Sequence, residues 1–148
     1  MLSAPDLTTF SLSRANYRSF SLGYIIMLAR MVTHKLPLLM VAIREYLDAR
    51  GRSPFAKWFN ALNSPAAARV TTALVRIEHG NFSTTKGVGA GVYECRIDFG
   101  PGYRIYFGKD GETIVILLAG GTKKRQNEDI LAAQKHWSDY KERKAKET

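Results

Sequence analysis

The chain has 148 residues, enough for one domain and too few for two independent hydrophobic cores. At 45% hydrophobic and 11% aromatic residues it has the apolar content of a folded chain, not a disordered one. Its 22 Lys+Arg against 13 Asp+Glu give a formal net charge of +9, which favours an anionic partner (nucleic acid or an acidic protein) over a membrane surface. The single cysteine excludes an internal disulfide and any CxxC zinc pair, so a reducing compartment is the default; His34, His79 and His136 show no metal-ligand spacing.

Residues 1–37 differ from the rest of the chain. They are Ser-rich and acid-poor, and their uncharged stretch Ser19–Ala29 ends at Arg30. Eleven residues are too few to span a bilayer as a helix, which takes roughly 20. Arginines ahead of a short apolar run resemble an export signal. Met31 and Met40 offer later starts, and we read 1–37 as an N-terminal extension, disordered or upstream of the natural start. Residues 38–148 are the expected folded domain, and they are basic without the extension. Arg14, Arg18, Arg30 and Lys35 against Asp6 place +3 in residues 1–39, leaving +6 in the rest.

Leu38–Ile43, leading into Arg44–Leu47 and closed by Asp48–Gly51, reads as a strand. Ser53-Pro54 supplies an N-cap and a proline at the first helical position. Phe55, Trp58, Phe59 and Leu62 then fall on one helix face. Ser64-Pro65 repeats the start signal, Val70, Ala73, Leu74 and Ile77 form the second stripe, and Gly80 stops it. The two segments make a helical hairpin. Lys86–Gly91 is glycine-rich but lacks the Lys-Ser/Thr ending of a phosphate loop and runs into a strand, so it reads as a connector.

Tyr93, Cys95, Ile97 and Phe99 alternate with Glu94, Arg96 and Asp98, the period of a half-buried strand. Gly100-Pro-Gly102 turns the chain, and Tyr103, Ile105 and Phe107 alternate with Arg104 and Tyr106 on the return. Asp110-Gly111 signals a two-residue hairpin into Glu112–Leu118, the third strand of an antiparallel meander. If Phe99 faces Tyr103, then Asp98 faces Arg104 and Arg96 faces Tyr106, with Glu94 one step further on the same polar face. If Lys109 faces Glu112, Val115 and Leu117 join that face, giving a partly apolar concavity with charged walls. A final helix starts near Asn127, carries Ile130, Ala133, Trp137 and Tyr140 on one face, and frays over Lys141–Thr148. The class is α+β: a strand, a helical hairpin, a three-stranded meander and a C-terminal helix.

Cys95 shares parity with Tyr93 and Ile97, so it reads as a buried small hydrophobe. His79 sits where it can serve the last carbonyls of its helix, and His136 reads as exposed. No nucleophile triad, metal cluster or nucleotide fingerprint is visible, and no cofactor is expected. What remains is a convergence of Arg96 and Arg104 with Lys123, Lys124 and Arg125 where the third strand ends. Cleavage of RNA by its 2′-OH needs a proton acceptor, cations for the charge growing on phosphorus and a donor to the leaving oxygen. Glu94 could be the base and a lysine or Tyr106 the acid. An Asp98–Arg104 ion pair with a solvated charge run explains the same residues structurally.

The run Gly91–Phe107, followed by Ile116–Gln126 and Asp129-Ile130, resembles the RelE/ParE toxin superfamily, in its phage-derived, HigB-like "addiction module killer" branch. The resemblance covers residues 40–143, and Met40-Val-Ala-Ile is similar to the way such toxins begin. It implies a small α+β fold of the order read above. It also implies a cytoplasmic toxin, neutralised by a cognate antitoxin of helix-turn-helix type, that cleaves mRNA on the ribosome without a metal. By position, Arg104 matches the family's phosphate-contacting arginine, Arg96 stands at a lysine position, and Lys123 and Lys124 match the basic segment after the last strand. Glu94 departs from the family by occupying another lysine position. Glu94, Arg96, Arg104 and Lys124 are therefore the candidate catalytic set, and Lys86, Tyr106, Lys123 and Arg125 the candidate RNA contacts. The gyrase-inhibiting ParE branch and an inactive antitoxin-binding relative are the alternatives.

Overall fold

Residues 40–148 are described in the computed structural model, so the expectations for residues 1–37 lie outside the described residues. Helix α1 (Pro54–Asn60) starts where Ser53 Oγ accepts the Ala56 N–H at 2.9 Å. Helix α2 (Ser64–Glu78) is capped by Asn63 and not by Ser64; its Oδ1 accepts from Ala66 N at 3.0 Å. Gly80, at φ +77°, ends α2 by donating to Ile77 O, and Asn81 N closes onto Arg76 O at 2.9 Å. His79 Nδ1 lies 2.7 Å from Val75 O, the expected helix-end role. After a 3-10 turn at Lys123–Arg125, helix α3 runs from Gln126 to Glu147. Its charged end does not fray: Lys144 Nζ reaches Asp110 at 2.5 Å and Arg143 pairs with Asp139 at 2.7 Å.

The sheet has five strands, one more than the sequence reading. They are β1 (Ala42–Glu45), β2 (Thr85–Gly87), β3 (Val92–Ile97), β4 (Tyr103–Asp110) and β5 (Ile114–Thr122), in the order β1-β5-β4-β3-β2. β1 lies parallel to β5, and every other pairing is antiparallel. The extra strand, β2, uses the start of the glycine-rich stretch expected to be a connector. Three residues carry no readable alternation, and only the edge of β3 organises them. Five strands and three helices make an α+β domain consistent with a small RelE-like fold.

Two turn lengths differ from expectation, with different consequences. Between β3 and β4 the partners are Ile97↔Tyr103, Arg96↔Arg104 and Glu94↔Tyr106. That is a slip of two positions, so the faces survive but the Asp98–Arg104 pair does not form. Asp98 instead pairs with Arg96 at 3.2 Å. Between β4 and β5, Asp110 faces Ile114 across a three-residue loop with Gly111 at φ +68°. A slip of odd length exchanges the faces. Val115 and Leu117 therefore join Phe107 in the core beneath the helical hairpin, not a polar concavity. An irregularity at Tyr106/Phe107 restores Tyr106↔Ala119 and Arg104↔Gly121 further along.

Both sheet faces are covered. Phe55, Val70, Leu74 and Ile77 pack on Cys95, Ile105, Phe107 and Leu117, while α3 lays Ala133 and Trp137 over Tyr106, Val92, Ile116 and Leu118. Cys95 is buried as expected. This double coverage accounts for the unbroken apolar run of β5. Glycines let the helices approach: a Cβ on Gly120 would overlap Trp58, and one on Gly108 would sit 2.5 Å from Trp137. His136 is half-buried, not exposed; it stacks on Tyr46 at 4.8 Å with Nδ1 3.0 Å from Leu118 O.

Candidate functional site

Period 2 on β3 and β4 places Glu94, Arg96, Arg104 and Tyr106 on the α3 face of the sheet, at the end where α3 begins. The expected open face is covered there by the first turns of α3. Glu94 is only 1% exposed, Tyr106 is fully buried and Arg104 is 6% exposed. A buried carboxylate must be paired and hydrogen-bonded, and Glu94 is. Its Oε2 accepts from Gln126 Nε2 at 2.7 Å and from the Tyr106 hydroxyl at 3.2 Å. Arg104 Nε lies 3.5 Å from the same oxygen, and Lys86 Nζ lies 3.5 Å from Oε1. Burial, then the Glu94 charge and hydrogen bond, push the Tyr106 hydroxyl well above its ordinary range, so it remains a donor.

Arg104 is held from two sides. Nη1 donates to Gly102 O at 3.1 Å, while Nε is buried without a hydrogen-bond partner, its distance to Glu94 being ionic contact only. Gly102 O also accepts from Lys123 N at 2.9 Å, which ties the basic turn to the start of β4. Lys123 and Lys124 are exposed and form no ion pair among the described residues. Arg125, also exposed, is engaged by Glu128 at 2.6 Å. Lys86 and Arg96 stand over a cleft of about 200 Å³ that also contains Glu94.

The structure thus gathers Lys86, Glu94, Arg104 and Tyr106 around one carboxylate. Arg96 stands beside Arg104 on the next strand, Lys123 is tied to the cluster through Gly102 O, and Lys124 lies with Arg125 and Glu128 along a neighbouring cleft at the start of α3. Sequence reasoning missed Gln126 and Asp129. Asp129 Oδ2 is buried without a partner and lies against Gly121, where a Cβ would overlap it. Burial raises the Asp129 carboxyl, Arg125 opposes that and Glu128 adds to it. The spacing of Gln126 and Asp129, i and i+3 on a helix, was the available signal that both face the sheet.

Among the described residues no helix is long and apolar enough to cross a membrane. Residues 57–143 match the family described as phage-derived protein Gp49-like (DUF891). An uncharacterized protein of Haemophilus influenzae is 41% identical over 81 residues, which cover 54% of this chain and 82% of that protein.

Proposed function

The chain belongs to the phage-derived Gp49-like family, a toxin-type family of the RelE/HigB-like superfamily, and we propose that it cleaves mRNA on the ribosome through the RNA's own 2′-OH. The observation that carries this reading is the Arg104 guanidinium, set between Gly102 O and Glu94, with Arg96 opposite it on β3 and the backbone N–H of Lys123 on the same Gly102 O. Such cations, set before substrate arrives, favour the charge that grows on phosphorus. In the reaction the 2′ oxygen bonds to phosphorus, its proton leaves to a base, and the bond to the 5′ oxygen breaks with protonation of that oxygen. We assign Arg104 to the phosphorane and the exposed ammonium of Lys124 to the 5′ oxygen. Lys86, Arg96, Lys123 and Arg125 take flanking phosphates. Glu94, with four partners and almost no exposure, is assigned to positioning Arg104; Tyr106 and Gln126 hold it in turn.

Membership of a toxin family implies an antitoxin partner. We infer an acidic antitoxin of helix-turn-helix type that covers this basic rim in the cytoplasm and excludes RNA. Primer extension on messages after induction is the test. Discrete cuts in translated mRNA are expected, and Arg104→Ala should reduce them by about a hundredfold or more. Arg104→Lys, which keeps a charge for Glu94 but loses the guanidinium fork, should fold and still cleave poorly. Intact message with damaged DNA would replace this reading with gyrase inhibition. Full toxicity of Arg104→Lys would remove the assignment of Arg104.

A further inference from the structure

Arg69, Thr72 and Arg76 recur at i, i+3 and i+7 on α2 and so form one stripe, beside the apolar stripe that enters the core. Opposite them Thr84, Arg96 and Phe99 complete a cavity of about 240 Å³. This cavity shares Thr84 and Arg96 with the cleft in front of Lys86 and Glu94, so the two lie side by side and make a groove from the Glu94 cleft past Arg96 to the outer edge of α2, within reach of one strand of backbone. We propose that this groove binds the phosphate backbone of single-stranded RNA flanking the cleaved bond, a subsite that rests on the nuclease reading above.

Three guanidinium groups line the α2 end, and the carboxylate facing them is Asp98. Asp98 is 79% exposed and its pairing with Arg96 lies in solvent, so a phosphate can displace it at little cost. Arg69 is held 5.1 Å over the Phe99 ring, which limits the freedom lost when it closes on a phosphate. Arg76 is exposed and has no ion-pair partner among the described residues. A protein partner would need an apolar anchor at the centre of its contact. The aromatic at this rim, Phe99, is already covered by Arg69 on one side and Tyr103, with ring centres 6.4 Å apart, on another. Ala73 and Ile97 also line the cavity but are themselves buried, so what it offers a partner is chiefly three guanidinium groups, which suit a polyanion backbone.

The experiment measures binding of a fluorescent, 2′-O-methylated RNA twelve-mer, which cannot be cleaved, to the wild type and to Arg69→Gln with Arg76→Gln. Both positions are exposed, so the double variant should keep its circular dichroism spectrum and unfolding midpoint. Two lost phosphate contacts on a single strand should lower the slope of log affinity against log salt by about 1.4. Between about 50 and 200 mM salt the wild type should therefore lose roughly sevenfold more affinity than the double variant. An unchanged slope, or no RNA binding by the wild type, overturns the subsite. So does an equal loss for a polyglutamate peptide, which would assign the groove to an acidic protein. The outcomes separate from those for the nuclease. A wild type that cuts message while the double variant keeps its slope rejects only the groove. One that never cuts yet shows the slope change rejects only the nuclease.

Discussion

Replacing Glu94 by glutamine tests how the Arg104 site is held. Glutamine keeps the shape of the side chain and an oxygen for the Tyr106 hydroxyl and Gln126, but it removes the charge facing Arg104 and Lys86. The Arg104 side chain is 7% exposed, so its guanidinium stays in a poorly solvated socket without a counter-charge. Removing one partner of a buried pair costs about 3–5 kcal/mol. The 3.5 Å separation is longer than a charge-assisted hydrogen bond, and Lys86 is 64% exposed and can turn to water, which together point to the lower end. We expect about 3 kcal/mol, or a fall of roughly 10–20 °C in melting temperature for a domain of this size. Arg104→Gln alone should cost a similar amount, whereas the double variant should cost well under the sum, leaving a coupling of about 2 kcal/mol. Urea titrations of the four proteins supply the cycle. Additivity within about 0.5 kcal/mol would refute the claim that Glu94 and Arg104 hold one another. Cleavage by Glu94→Gln should fall without loss of the acidic limb of the pH–rate profile. Disappearance of that limb would make Glu94 the base.

Gly121→Ala should drive a methyl into the Asp129 carboxyl and push the first turn of α3 away, at about 1–3 kcal/mol by urea midpoint; adding Asp129→Ala should recover most of it. Asp129 carries a raised carboxyl in the fold, so the folded chain holds that proton more tightly than the unfolded one. Its contribution is favourable below the unfolded value of about 3.9 and is lost as pH rises through the folded value. Asp129→Asn should therefore stabilise the protein at neutral pH and flatten that part of the stability profile, and an unchanged profile would reject the role given to burial.

Much of the fold was legible because its signals are local. The Ser53-Pro54 start, the Gly80 stop and the alternation in β3 and β4 each depend on a few adjacent residues, and the structure shows the elements they announce. Turn lengths were less legible, since Asp110-Gly111 suits a two-residue hairpin as well as the longer loop it enters. That one ambiguity reversed β5. Nothing in its apolar run marks a face, because both faces are buried, so Val115 and Leu117 had no polar neighbour to betray their side.

The site was legible by face and illegible by depth. Parity alone put Glu94, Arg96, Arg104 and Tyr106 together, and a slip of two residues preserves parity. Depth depends on what lies over the strand, and here that is the first turns of α3, brought back against β3 and β4 through contacts far apart in sequence such as Gln126 to Glu94. Coverage changes the chemistry of each side chain it reaches. Under water Glu94 would be a weak base and Arg104 a mobile cation. Beneath α3 the carboxylate is consumed in holding the guanidinium, and the raised Tyr106 hydroxyl is fixed as its donor. In the cleavage we propose, proton transfer would then fall to uncovered groups, of which Lys124 is exposed and forms no ion pair among the described residues. The proposed division between a buried charge stabiliser, Arg104, and a solvated proton carrier, Lys124, rests on α3 beginning at Gln126, directly after the basic turn.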